Sequence, residues 1–109
     1  MYVSITGLKL KRFWHAPSFW RHATAAMVQA RSADGCLGSD ARTIAGIHHT
    51  RSLWRDRQAM KTYLRAGAHL QAMRVFPRIA TGKTYGYDSA AIPDWDEVHR
   101  LWKEKGREV

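Results

Sequence analysis

Apolar side chains alternate along Tyr2 to Arg12, with Val3 and Ile5 on one parity and Leu8 and Leu10 on the other. That alternation predicts a strand, and the change of parity at Gly7 predicts a bulge or bend there. Pro17 and Ser18 then open a stretch in which Phe19, Trp20, Ala23, Ala26, Met27 and Ala30 recur at helical spacing through Arg31, a first amphipathic helix. Asp34-Gly35 closes it, because glycine takes the left-handed position after a last helical turn at little cost. From Cys36 to Trp54 the helical stripe is lost and β-branched residues return, which predicts two strands joined as a hairpin through Ala45-Gly46.

Asp56 is placed to cap a helix carrying Ala59, Met60, Tyr63 and Leu64, and Gly67 interrupts the pattern. Helical spacing resumes with His69, Leu70, Met73 and Phe76, and Pro77 is expected to stop it. Thr84 to Tyr87 is a short run of β-formers, a fourth strand. Pro93, Asp94 and Glu97 form a helix start, with Trp95, Val98, Leu101 and Trp102 as the apolar face of a closing helix.

The predicted order is β-α-β-β-α-β with a C-terminal helix, an α+β domain of the ferredoxin-like, split βαβ kind. Its two covering helices lie on one sheet face. The apolar residues on both parities of the first strand predict that a second copy of the chain buries the other face.

With 109 residues and 45% hydrophobic composition, the chain is expected to form one domain over residues 1–109. No repeat, low-complexity run or linker divides it. Cys36 is the single cysteine, so no internal disulfide can form, which fits a reducing, cytoplasmic setting. No apolar run approaches the about 20 residues of a membrane span. The net charge of +9 raises anionic partners, yet the arginines are spread from Arg12 to Arg107, as on a solvated surface. The dense clusters are Lys9-Leu10-Lys11-Arg12 and Arg51 to Arg57.

The run Ser52-Leu53-Trp54-Arg55-Asp56-Arg57-Gln58-Ala59-Met60, followed by Gly67-Ala68-His69, resembles the third-strand-to-second-helix junction of the antibiotic biosynthesis monooxygenase-like superfamily. With Ile92-Pro93-Asp94-Trp95, the chain is similar more narrowly to small bacterial proteins grouped near spheroidene monooxygenase. The resemblance implies a dimeric α/β barrel, with sheets packed face to face, and a pocket within each subunit between its sheet and helices. Members include cofactor-free oxygenases, heme-degrading enzymes, isomerases and proteins without known activity, so the fold leaves the chemistry open. In the heme-degrading members a Trp and a heme-ligating His occupy the second helix. Aligning on Trp54 puts Tyr63 and Met73 at those positions, and Met73 departs from that pattern.

The histidines His15, His22, His48, His49, His69 and His99 show no metal-ligand spacing, and no protein-only metal site is expected. His48 and His49 are strand neighbours and face opposite ways, so at most one can face a given pocket. An imidazole titrates near neutrality and can take a proton from a phenol or enol, which makes His48 and His69 the candidate bases of a monooxygenase-like reaction. The bland alternative for each is a hydrogen-bonded structural histidine.

Trp14, Trp20, Trp54 and Tyr63 are candidates to line a site for a small hydrophobic aromatic or polyene molecule, or else to pack the core. Trp95 and Trp102 read as packing or interface residues. Among Arg12, Arg42, Arg51 and Arg78, at most one is expected to hold a carboxylate, and Arg78 is the leading candidate. The cofactor is either none or heme with His69 or His48 as axial ligand. A non-enzymatic binding module is the third reading, and Lys83-Thr84-Tyr85-Gly86-Tyr87 matches an RNA-binding signature too faintly to make nucleic acid an expected partner. No hydrolase, nucleotide-binding or glycosidase motif is present.

Overall fold

A computed structural model describes residues 1–108. Nine elements follow in order: β1 Tyr2–Leu10, α1 Ala16–Ser32, β2 Cys36–Ile44, β3 Ile47–Trp54, α2 Arg57–Leu64, α3 Gly67–Ile79, β4 Ala80–Asp88, α4 Trp95–Lys105 and β5 Arg107–Glu108. A 3-10 turn over Phe13–His15 joins β1 to α1. The sheet is antiparallel in the order β2-β3-β1-β4-β5, the ferredoxin-like arrangement extended by one short edge strand.

Register decides which side chains share a face. Ser4 pairs with Ser52, Thr6 with Thr50 and Leu8 with His48 across β1 and β3, so these even-numbered positions lie together beneath α1, α2 and α3. Two apolar clusters close the ends of that layer. Tyr2, Ala30, Trp54, Ala59 and Met60 form one, and Leu8, Phe19, Ile79 and Ala80 form the other. The odd-numbered positions Val3, Ile5 and Leu53 face the opposite way and pack with Val98 and Leu101 of α4.

This corrects the expectation of helices on one face only. The closing helix of the same chain lies where a second copy was expected over Val3, Ile5 and Leu53. Its docking is specific: Trp102 Nε1 donates to the carbonyls of Gly7 and Lys83, at 3.1 and 3.0 Å. Arg51 binds both carboxylate oxygens of Asp40, donates to the Pro93 carbonyl at 2.7 Å and lies 4.3 Å from the Trp95 ring centre. Arg51 is therefore committed to holding the segment that leads into α4, and not to a substrate anion.

Gly7 carries no bulge. Both ladders of β1 run through it without a break, and the irregularity in the sheet falls between Cys36 and Gly38. Glycine is needed at position 7 because a β-carbon there would overlap the Trp102 indole and lie 2.8 Å from His49. The β2–β3 turn is as expected, with φ of 51° at Ala45 and 79° at Gly46. Both central residues are left-handed, as a two-residue turn matched to the strand twist requires.

Pro77 does not end α3; the helix continues to Ile79 with the proline in its last turn, where one lost hydrogen bond is tolerable. The fourth strand is longer than expected, because pairing with β1 recruits Ala80 to Lys83 and Asp88 as well.

Candidate functional site

The helix break at residues 65–66 is the most constructed part of the helix-covered face. Asp56 caps α2 by accepting from the Ala59 amide at 2.8 Å. At the start of α3, Ala66 has no side chain to cap with, and Gln29 of α1 supplies what is missing. Its Oε1 accepts from the His69 amide at 3.0 Å and its Nε2 donates to the Ala66 carbonyl at 2.9 Å. A helix start that would otherwise leave an amide unpaired is thus secured from a neighbouring helix.

The His69 ring is fixed by the same break. Its Nδ1 lies 3.3 Å from the Leu64 carbonyl. A carbonyl oxygen can only accept, so Nδ1 carries the proton and Nε2 is left as a lone-pair acceptor. Burial is the larger influence and lowers the His69 pKa, with the Leu64 hydrogen bond opposing it. The ring is therefore neutral at pH 7, with Nε2 able to accept a proton.

His69 ends an aromatic row. Its ring lies 4.8 Å from Tyr63, which lies 5.1 Å from Trp54. Trp54 is fully buried and donates through Nε1 to Ser52 Oγ at 2.9 Å. The Tyr63 hydroxyl donates to the Ala26 carbonyl at 2.8 Å, and burial drives its pKa up, with the Cys36 thiol adding to the rise. Tyr63 remains a phenol and holds α2 against α1.

The other end of the layer carries His48. Its ring centre is 5.0 Å from both Phe19 and Trp20, and its Nδ1 is 2.8 Å from Thr43 Oγ1. Burial lowers its pKa. His48 and His69 do not converge on one point: they meet α1 at Phe19-Trp20 and at Gln29, nine to ten residues apart, which is about 14 Å of helix. Between them the sheet offers Ser4, Thr6, Thr50 and Ser52, hydroxyl side chains that stay half-buried beneath the helices. The arrangement is a long seam with an imidazole at each end and a hydroxyl floor.

Two other candidates stand outside this seam. Trp14 is 61% exposed on the β1–α1 turn, and Arg78 is exposed in the last turn of α3. Trp20 is 39% exposed and reaches the seam through His48. Arg12 lies 5.9 Å from the Trp14 ring centre. Arg42 opens on a surface groove of about 470 Å³ shared with Thr43, Ile44, Asp94, Trp95 and Asp96, away from the helix-covered seam.

A further pair escaped the sequence reading. His49, 1% exposed on the α4 side, has Nδ1 3.3 Å from the Thr6 carbonyl and Nε2 2.8 Å from His99 Nδ1. His49 thus carries its proton on Nδ1, and His99 donates to it. The two are 50 residues apart, so no local spacing could have joined them. The available signal was the strand parity that sets His49 opposite His48, together with the apolar face of α4. Among the described residues no cluster of three or more metal-ligating side chains occurs.

No protein-family profile matches the chain, and no curated protein matches it. Solved structures do. A candidate antibiotic biosynthesis monooxygenase from Deinococcus radiodurans superposes with a TM-score of 0.74 at 20% identity, covering 86% of this chain and 97% of that one. One from Nitrosomonas europaea gives 0.74 at 14%, covering 84% and 100%. SnoaB, a cofactor-independent oxygenase from Streptomyces nogalater, gives 0.70 at 9%, covering 85% and 97%. The chain has the fold of the antibiotic biosynthesis monooxygenase proteins, as the Trp54 junction implied.

Proposed function

We propose that the seam between the sheet and α1–α3 takes a small hydrophobic aromatic or polyene molecule, and that His69 acts on it as the base of a monooxygenase-like reaction. The observation that carries this reading is the His69 tautomer: Nδ1–H is held by Leu64, leaving a neutral, lone-pair Nε2. A base of that kind can take a proton from a phenol or enol, and the electron-rich anion can then react with dioxygen with the substrate itself as reductant: a ring CH2 becomes C=O with one oxygen atom, and the two hydrogens it loses leave with the other as water. Tyr63 would back the ligand at this end, with the buried Trp54 packed behind it. His48, with Phe19 and Trp20, would contact its far end or serve as the base for a ligand bound the other way round. The likeness in fold to a cofactor-independent oxygenase supports the reaction class by analogy.

Oxygen uptake with a polycyclic phenol tests it. The expected result is turnover by the native chain and a loss of about 100-fold in His69→Ala, with a smaller loss in His48→Ala. Both variants remaining within about threefold of the native rate would sink the reading.

The same imidazole geometry also suits an axial heme ligand, because a proximal histidine commonly donates its other ring nitrogen to a carbonyl. Added hemin separates the two: a Soret band lost in His69→Ala favours heme, and an unshifted spectrum opposes it.

The functional unit in this reading is a homodimer. A small domain that leaves Tyr85 and Tyr87 half-buried and stacked at 5.4 Å beside α4 has apolar surface to offer a second copy. Light scattering that returned the mass of one chain would oppose it.

A further inference from the structure

The charge on this chain is unevenly placed. No Asp or Glu occurs from Met1 to Ala33, or from Arg57 to Tyr87, and these two runs supply α1, α2 and α3. The helix layer therefore carries cations only. The 9 carboxylates all lie in the segments around β2, at the β3–α2 junction, and from Asp88 to β5.

At one end of this cationic layer the β1–α1 turn projects two large apolar side chains. Phe13 is 84% exposed and Trp14 is 61% exposed, their rings set edge to face at 5.4 Å. The turn is anchored to the end of α3: the Lys11 amide donates to the Ile79 carbonyl at 2.8 Å, and Lys11 Nζ to the Pro77 carbonyl at 2.7 Å. Arg12 and Arg78 thus flank the turn, and Arg21 follows it on α1. The patch combines an aromatic tip with a cationic rim.

Three kinds of partner could cover such a patch, and they fit unequally. A second copy packed symmetrically on the same patch would set cations against cations, with no carboxylate from α1, α2 or α3 to relieve them. Single-stranded nucleic acid stacks on aromatic rings presented as a platform, whereas Phe13 and Trp14 stand at 77° to one another on a turn. An anionic bilayer meets both features, since Trp and Phe settle at the headgroup boundary while Lys and Arg are drawn to acidic lipid.

We propose that the Phe13-Trp14 turn, rimmed by Lys11, Arg12, Arg21 and Arg78, docks this protein peripherally on an anionic lipid surface. The surface stands whether or not the seam is catalytic. It needs no membrane-crossing helix, and no described helix is long and apolar enough to be one.

The test is flotation of the full chain with vesicles of phosphatidylcholine alone, or with about one-third phosphatidylglycerol. The chain should float with the anionic vesicles, be released by about 0.5 M salt and stay behind with phosphatidylcholine. The double variants Phe13→Ala/Trp14→Ala and Arg12→Glu/Arg78→Glu should each weaken binding roughly tenfold or more, with unchanged thermal midpoints because all four side chains are exposed. Brominated lipid should quench native tryptophan fluorescence, and Trp14→Phe should remove most of that quenching. Failure to float with anionic vesicles, equal flotation with both compositions, or undiminished flotation of Phe13→Ala/Trp14→Ala would overturn the proposal. So would a single-stranded oligonucleotide that binds through these residues while vesicles do not.

Discussion

Gly7 illustrates how one residue can be read correctly as special and wrongly as to why. The parity of apolar residues around it changes because β1 is buried on both faces, and not because the strand is bulged. What excludes a side chain is the Trp102 indole, which donates to the Gly7 carbonyl from directly above the strand. Gly7→Ala is therefore expected to lift α4 from the sheet and destabilise the fold by about 2 kcal/mol or more, measured by urea unfolding. Trp102→Leu in the same chain should recover part of the loss, because the smaller side chain admits the methyl group. His69 is a second residue whose type was legible and whose state was not. Its candidacy came from the imidazole's near-neutral titration, but its tautomer depends on the Leu64 carbonyl and its amide on Gln29, a residue 40 positions away.

At the scale of elements, local chemistry was informative wherever a boundary is made by neighbours in sequence. Asp56 and Asp94 each accept from the amide three residues on, as an N-cap should, and Ala45-Gly46 forms the hairpin turn. Ala45 pays for its left-handed backbone, since a β-carbon disfavours that region while Asn tolerates it. Ala45→Asn should raise stability by about 0.5–1 kcal/mol, read as a higher urea midpoint with an unchanged slope. Boundaries set by distant contacts were less legible. Residues Ala80 to Lys83 become strand because β1 pairs with them, and α3 runs past Pro77 to join that strand directly.

For the whole molecule, three partly or fully buried histidines share one consequence. His48, His49 and His69 all have pKa values below 6.5, with burial the leading cause in each; for His49 the Thr6 carbonyl opposes the shift, and the charges of His99 and His48 add to it. The unfolded chain takes up these protons as pH falls through 6.5, while the native chain resists until its own lower values are reached. In that window the unfolded state binds more protons, so stability is present above about pH 6.5 and declines as pH drops. The thermal midpoint should fall between about pH 7.5 and pH 5.5, and His49→Gln should make the fall shallower. A midpoint flat across this range would contradict the burial assigned to these rings. The His49–His99 contact makes α4 docking a contributor to this slope, since charging His49 puts a proton on Nε2, the acceptor of the pair.

What the amino-acid sequence determined by itself was the order and type of the main elements, because periodicity, caps and turn residues act over a few positions. It also determined that His48 and His49 point to opposite faces, since a strand alternates with a period of two. Only the tertiary structure decided which face each one joins, that α4 of the same chain covers Val3, Ile5 and Leu53, and that His49 meets His99. It also decided that Gln29 completes the start of α3 and that His69 and His48 stand at opposite ends of one seam. These outcomes depend on strand register and helix docking, which bring together residues tens of positions apart and leave no mark in local spacing.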